Sequence, residues 1–230
     1  MESLKVVAHI KTDFPNKFGI PRQSGLVNTK GKIIFEPDYR DDSALRGLED
    51  FSHLWLIWGF SANKTVGFSP TVRPPRLGGN KRVGVFATRS PNRPNPIGLS
   101  SVKIEKICRD GNNGTVIIVS GADLLNNTPI YDIKPYLKFT DCHNDAVGGF
   151  ADEVIEDKLT VEFSDGLKEK IDTDDLQNII AILGSDPRPH YHDDERVYAF
   201  EFAKYHIEFS VKDDLLTVCS VSLAKDDLNV

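Results

Sequence analysis

The sequence predicts a mainly β unit over residues 1–152, followed by a small α+β unit over residues 153–230. Three observations carry this prediction. Short runs of β-branched and aromatic residues recur between Gly, Pro and Asn punctuation through the first part of the chain, as in a barrel or sandwich. The clearest long amphipathic helical pattern comes late, at about Asp174–Leu183. Charge divides the same way. Residues 1–150 hold 20 basic and 14 acidic residues, a net +6, and residues 151–230 hold 8 basic and 20 acidic, a net −12. Asymmetry of that size marks two units with different surfaces, of which only the first attracts a polyanion.

The elements follow in order. Leu4–Ile10 is apolar-rich and reads as an opening strand. Asp42–Leu48 suggests one or two helical turns. Phe51–Phe60 (FSHLWLIWGF) is too short and too aromatic for a surface helix, so it predicts a buried strand. Within it His53 reads as a hydrogen-bonded core histidine rather than a catalyst. Arg82–Thr88 alternates around Val83, Val85 and Ala87. Leu99–Ile107 and Thr115–Ser120 flank Asp110-Gly111-Asn112-Asn113-Gly114, a hairpin signal. In the second unit Leu159–Phe163 predicts a strand. The helix from Asp174 places Leu176, Ile179, Ile180 and Leu183 on one face, with acids in its first turn and Gly184 as its terminator. Asp186-Pro187-Arg188-Pro189 is a rigid loop. Val197–Val211 and Leu215–Val221 pair around Lys212-Asp213-Asp214.

Several classes are excluded. No run of about 18 apolar residues is present, so no membrane span is expected. The N-terminus lacks the apolar core of a signal peptide, and three widely spaced cysteines, Cys108, Cys142 and Cys219, suit a reduced cytoplasm. No CxxC or HExxH spacing appears, so no metal is expected. GxGxxG, the Walker sequence and GxSxG are all missing, and Leu77-Gly78-Gly79-Asn80 lacks the first spacing. A Rossmann nucleotide site is therefore not expected.

The strongest functional signal is a window without acids. Between Phe51 and Ile104 there is no Asp or Glu, but there are eight basic residues and six prolines. Proline restricts its own φ and the residue before it, so a Pro/Arg run holds cations in set positions. Such a loop suits a phosphate, a carboxylate or a nucleic-acid backbone. Four further polar segments stand out: Pro21-Arg22-Gln23, Thr88-Arg89-Ser90, Ala122–Pro129 and Tyr131–Tyr136. Each alone reads as a turn. Together they offer Arg22 and Arg89 to clamp a carboxylate, and Asp123 to accept hydrogen bonds from a ribose or amine.

GIPRQSGL, RGLEDFSHLWLI, TVRPPRLGGNKRVGVFATRSPNRPNPIGLS, DLLNNTPIYDIKPY and DPRP occur in this order. This series closely resembles the TsaA/TrmO family of S-adenosylmethionine-dependent tRNA methyltransferases, over essentially the whole chain. The resemblance implies a β-barrel that binds the cofactor in place of a Rossmann fold. It also implies methylation of N6 of N6-threonylcarbamoyladenosine at position 37, beside the anticodon of a threonine tRNA. A homodimer with the cofactor near the subunit interface is implied as well.

Carried over by position, the cofactor contacts are Pro21, Arg22, Gln23, Phe60, Ser61, Arg89, Leu99, Gly121, Ala122, Asp123 and Leu124. Ser61 stands where many relatives have His. Asn126-Asn127 replaces an Asp-Gly pair, and Asn tolerates the left-handed backbone that such a turn uses. N6 of the modified base is a poor nucleophile whose proton must be taken. Asp132 is the first candidate base and Asp123 the second, while a turn-capping role explains Asp132 equally well. Arg76, Arg93, Asn95, Lys134, Tyr136 and Arg188 are the candidate RNA contacts. Arg188 also reads as a connector residue paired to Asp186 or Asp193. Two other functions remain compatible with the residues: methyl transfer to a different RNA or small-molecule acceptor, and non-catalytic binding of RNA or a nucleotide.

Overall fold

The computed structural model describes residues 4–62, 67–74, 77, 80–152, 158–188 and 196–224. Strands β1 (Ala8–Thr12), β2 (Lys30–Phe35), β3 (His53–Gly59), β6 (Ile97–Arg109), β7 (Thr115–Ser120) and β8 (Thr128–Pro135) close an antiparallel barrel in the order β1-β2-β7-β6-β3-β8. A two-stranded ribbon, β4 (Thr71–Val72) with β5 (Val83–Gly84), stands between β3 and β6 in the chain. Period-2 alternation explains the barrel's interior, because successive side chains in a strand point to opposite faces. Leu54, Leu56 and Trp58 of β3 point inward beside Ile10, Ile33, Val102, Val119 and Ile130. His53, Trp55 and Ile57 face outward and are only half-buried. Each fully buried aliphatic side chain contributes about 1.5–3 kcal/mol. The hairpin between β6 and β7 turns at Asp110–Gly114, with Asp110 N donating to Gly114 O at 2.8 Å.

The second unit holds a sheet in the order β10 (Tyr198–Phe202), β11 (Tyr205–Lys212), β12 (Leu215–Leu223), β9 (Thr160–Phe163), in which only β9 and β12 run parallel. A one-turn helix, α1 (Lys138–Asp141), precedes it. The main helix, α2 (Thr173–Gly184), buries Ile179, Ile182 and Leu183 against this sheet. No helix among the described residues is long and apolar enough to cross a membrane.

The second core is not made by the second unit alone. The segment between β1 and β2 leaves the barrel and sends Phe14 and Val27 into it, with Phe18 and Ile20 packed alongside. Phe14 meets Phe202 edge-on at 5.3 Å between centroids, and Phe18 stacks on Tyr198 at 6.3 Å. Asp13 O accepts from Ala203 N at 2.8 Å. The boundary expected at residues 152/153 adjoins residues 153–157, which lie outside the described ones.

Several local expectations change. The opening strand starts at Ala8, not Leu4, which is exposed. Arg82–Thr88 is strand only at Val83–Gly84. Val85–Ala87 is a 3-10 turn closed by Thr88 Oγ1 donating to Val85 O at 2.8 Å. The single strand expected over Val197–Val211 breaks at Ala203, whose φ of 50° is left-handed. Helix α2 runs through Gly184, and the left-handed residue after it is Asp186 (φ 46°). Ile180 is exposed, and Ile182 takes its place in the core. His53 is not a core residue: it sits half-buried on the outer face, Nδ1 2.8 Å from Ser52 Oγ. Asn127 does take the left-handed conformation expected of the Asn126–Asn127 turn, with φ 67°.

Candidate functional site

A cavity of about 530 Å³ opens at one end of the barrel, a size in the range of small-molecule sites. Five pieces of chain build it: the Lys17–Gln23 loop after β1, the end of β3 from Trp58 to Ala62, the Thr88–Arg93 loop, the start of β6 from Ile97 to Leu99, and the turn holding Asp123 and Leu125. Thr128, opening β8, completes the lining. Its wall is partly apolar, from Ile20, Trp58, Phe60, Ile97 and Leu99, with Asp123, Lys17, Arg22, Arg89 and Arg93 as the charged groups.

Asp123 is the titratable group whose environment is most altered here. Its carboxylate lies mostly buried, and burial raises its pKa above the ordinary aspartate value. Opposing that rise are the Ser100 hydroxyl, its own backbone N–H, the Arg89 charge and the Ser24 N–H. Ser100 Oγ donates to Asp123 Oδ1 at 2.6 Å and accepts from Trp58 Nε1 at 3.0 Å. An indole, a hydroxyl and a carboxylate thus form one chain from the barrel interior to the cavity wall. Gly98 makes this possible. It pairs with Trp58 across β3 and β6, and the indole lies directly over its Cα, where a Cβ would clash.

The cations are organised by hydrogen bonds. Arg89 Nη1 donates to Gln23 Oε1, and Gln23 Nε2 donates to Arg22 O at 2.6 Å. Arg22 Nη2 donates to the carbonyls of Asp186 and Arg188, both at 3.0 Å. Arg93 Nη1 donates to Thr88 O at 2.7 Å, so this arginine also stiffens its own loop. Its guanidinium lies 5.7 Å from the Phe86 ring centroid.

Of the residues singled out in the sequence, Pro21, Arg22, Gln23, Phe60, Ser61, Arg89, Arg93, Leu99 and Asp123 all line this cavity. Gly121, Ala122 and Leu124 do not. Ala122 and Leu124 are barrel core, and Gly121 (φ 81°) bonds its O to Gly25 N at 2.9 Å. Asp132 is not in the lining either. It lies on β8 opposite Ile57, with Oδ2 2.8 Å from Lys134 Nζ and Oδ1 accepting from Ile133 N at 2.9 Å. Of the two carboxylates, Asp123 thus lies in the cavity lining and Asp132 outside it. Lys134 is exposed in that ion pair. Tyr136 packs on Trp55, 5.6 Å between centroids, on the barrel's outer face. Asn95 is exposed in the loop before β6. Arg188 is paired to Asp186, with Nε 2.9 Å from Oδ1 and Nη2 2.9 Å from Oδ2. Arg76, Pro189 and Asp193 lie outside the described residues.

Trp58 and Ser100 were not singled out beforehand as site residues, and Thr128 only as part of the Ala122–Pro129 segment. The available signal for Ser100 was its inward position in the alternation Gly98, Ser100, Val102, where a polar side chain needs a partner. Among the described residues no group of three or more His, Cys, Asp or Glu is placed to hold a metal.

The lining of the cavity suits S-adenosylmethionine. Apolar and aromatic walls fit an adenine ring, a buried carboxylate fits a ribose diol or a cationic group, and arginines fit an amino-acid carboxylate. A family model described as the tRNA-methyltransferase O N-terminal domain matches residues 9–142, and one described as the TrmO C-terminal domain matches residues 156–224. The tRNA (adenine(37)-N6)-methyltransferase of Escherichia coli K12 is 38% identical over 215 residues, covering 89% of this chain and 91% of that protein. The enzyme of the same name from Eikenella corrodens is 41% identical over 173 residues, covering 74% of this chain and 97% of its own. Other relatives are named for dependence on, or binding of, S-adenosylmethionine. A crystal structure of TrmO from Pseudomonas aeruginosa superposes with a TM-score of 0.78 at 31% identity, covering 97% of this chain and 98% of that one. With both domains matched in order and the barrel shared with a solved member, this chain belongs to the TrmO family.

Proposed function

We propose that this chain methylates N6 of N6-threonylcarbamoyladenosine at position 37 of threonine tRNA, with S-adenosylmethionine as donor. One observation carries the reading: a buried carboxylate of raised basicity, Asp123, shares a cavity with Arg22 and Arg89 at the mouth of a closed barrel. The donor supplies an electrophilic methyl on a sulfonium. Transfer makes the N6–C bond, breaks the C–S bond to leave a neutral thioether, and releases the N6 proton.

The protein's part is placement and proton removal. Asp123 accepts the N6 proton, a role its burial favours because the carboxylate binds a proton more tightly than an ordinary aspartate does. Ser100 holds one carboxylate oxygen, which fixes the direction of the other. Arg89, oriented by Gln23, takes the donor's carboxylate. Arg93 has N–H donors beyond the one given to Thr88 O, and these suit the threonyl carboxylate of the substrate. The acid-free window around it favours RNA by attraction to phosphates.

Leu99 of the cavity lining is exposed, as are Phe68 and Phe86, which stack on each other beside Arg93; Phe86 is 72% exposed. Apolar surface of this kind supports assembly as a homodimer with the cofactor near the subunit contact, to be read by light scattering. Its three free cysteines and a tRNA substrate support a cytoplasmic location.

The deciding experiment is transfer of labelled methyl to threonine tRNA carrying threonylcarbamoyladenosine and to the same transcript lacking it. Label is expected only in the first. Equal labelling of both would refute recognition of the threonyl group, and no labelling of either would refute the activity.

A further inference from the structure

The loop that carries Pro21, Arg22 and Gln23 belongs to the first unit by sequence and to the second by packing. Phe14 and Phe18 anchor its start among Phe202, Tyr198 and Phe209. Gly19 (φ 91°) then passes so close to the Phe200 ring that a Cβ would stand 2.6 Å from Cδ2. The loop's far end returns to the barrel at Gly25, whose N–H bonds to Gly121 O. Between these anchors, Arg22 reaches across to the carbonyls of Asp186 and Arg188.

Those two carbonyls converge on one guanidinium because their turn is held shut. Asp186 is left-handed, its Oδ1 accepts from Arg188 N at 3.2 Å, and its carboxylate takes the Arg188 guanidinium in a two-point pair. The two side chains are only 17% and 12% exposed, and neither lines the large cavity. From Arg22 the linkage continues through Gln23 to Arg89.

We propose that Asp186 and Arg188 are positioning residues for the donor-binding loop: the second unit acts on methyl-donor binding through Arg22 without touching the donor. This rests on the donor occupying the cavity as argued above. A loop ordered before binding loses less conformational freedom when the ligand arrives, so releasing the latch lowers affinity.

The test compares the full-length protein with Arg22→Ala, Arg188→Ala and the double variant, by calorimetric affinity for S-adenosylhomocysteine. Arg188→Ala is expected to weaken binding about tenfold, the equivalent of one charge-assisted hydrogen bond. The double variant is expected to bind no more weakly than Arg22→Ala alone, since both changes break one link. Amide exchange on ligand-free protein should quicken at residues 19–25 in Arg188→Ala while β10–β12 keep their protection. Additive losses, an affinity within twofold of the unaltered protein, or unchanged exchange in the loop would each overturn the proposal. Unchanged donor affinity with a raised KM for tRNA would overturn it in favour of an RNA contact at Arg188. If Arg188→Ala does not fold, Arg188→Lys carries the same comparison, since lysine keeps the charge but not the planar fork. Failure of the unaltered protein to bind S-adenosylhomocysteine would refute the donor reading, and the exchange measurement would still decide whether Arg188 orders the loop.

Discussion

Gly98→Ala tests the cavity from inside the barrel. Gly98 faces Trp58 across β3 and β6, and an added Cβ would stand within 2.6 Å of indole Cδ2 and closer still to Cε2 and Cζ2. The indole cannot stay where it is. It is mostly buried, packs on Phe60 at 4.4 Å between centroids, and donates to Ser100, which in turn holds Asp123. Overpacking of this kind costs about 1–3 kcal/mol, and the lost Trp58–Ser100 hydrogen bond adds about 1 kcal/mol. At about 2–4 °C per kcal/mol for a chain of this size, Tm is expected to fall by about 5–15 °C. Trp58 emission should shift, and affinity for S-adenosylhomocysteine should drop. Calorimetric melting beside a Gly84→Ala control checks this, because a Cβ at Gly84 would meet nothing within 4 Å. If Gly98→Ala melts with the control and binds ligand normally, the indole does not depend on that glycine and the reasoning fails.

Three further outcomes are expected. Burial raises the Asp123 pKa, so the ionised base is lost at a higher pH than for an ordinary aspartate, and methyl transfer should fall as pH drops through that raised value. Ser100 is the chief group opposing the rise, so Ser100→Ala should move the acid limb of the kcat profile to higher pH; a limb that stays in place would remove Asp123 as the base. Arg89→Ala should weaken S-adenosylhomocysteine binding by about tenfold to a hundredfold, the worth of a charge-assisted hydrogen bond, and calorimetry showing full affinity would take Arg89 out of the site. Asp13 has its pKa raised by burial and then by the Asp175 charge, so the fold holds this proton more tightly than the unfolded chain does, and stability is lost as pH rises through the raised value. Asp13→Asn should therefore raise Tm at neutral pH, with the gain vanishing below the ordinary aspartate range of about 3.9; an equal gain at both pH values would contradict this.

Local chemistry was enough for the elements whose signals are local. The short, aromatic apolar run ending at Phe60 marked β3, the Asp110–Gly114 turn marked the β6–β7 hairpin, and acids followed by spaced aliphatics marked α2. The cavity-lining residues Arg22, Gln23, Arg89 and Asp123 were legible because Pro/Arg loops and polar turns after strands stand out in a chain without a glycine fingerprint. Strands β2 and β8 were not legible. One opens Lys-Gly-Lys and the other carries Pro129 and Pro135, so their β character comes from pairing on both sides within a closed barrel. The choice between Asp123 and Asp132 was equally beyond local reading. Both sit in turn-like polar sequence, and only the direction in which the barrel aims each strand end puts one in the cavity and the other beside Lys134. Trp58 and Ser100 became a relay only when β3 and β6 came into register over Gly98. Charge divided the chain near residue 152, but packing gave the second core a loop from the first unit. Phe14 and Phe18 are hydrophobic wherever they stand in sequence, and burial depends on which surface lies opposite, which tertiary contact alone decides.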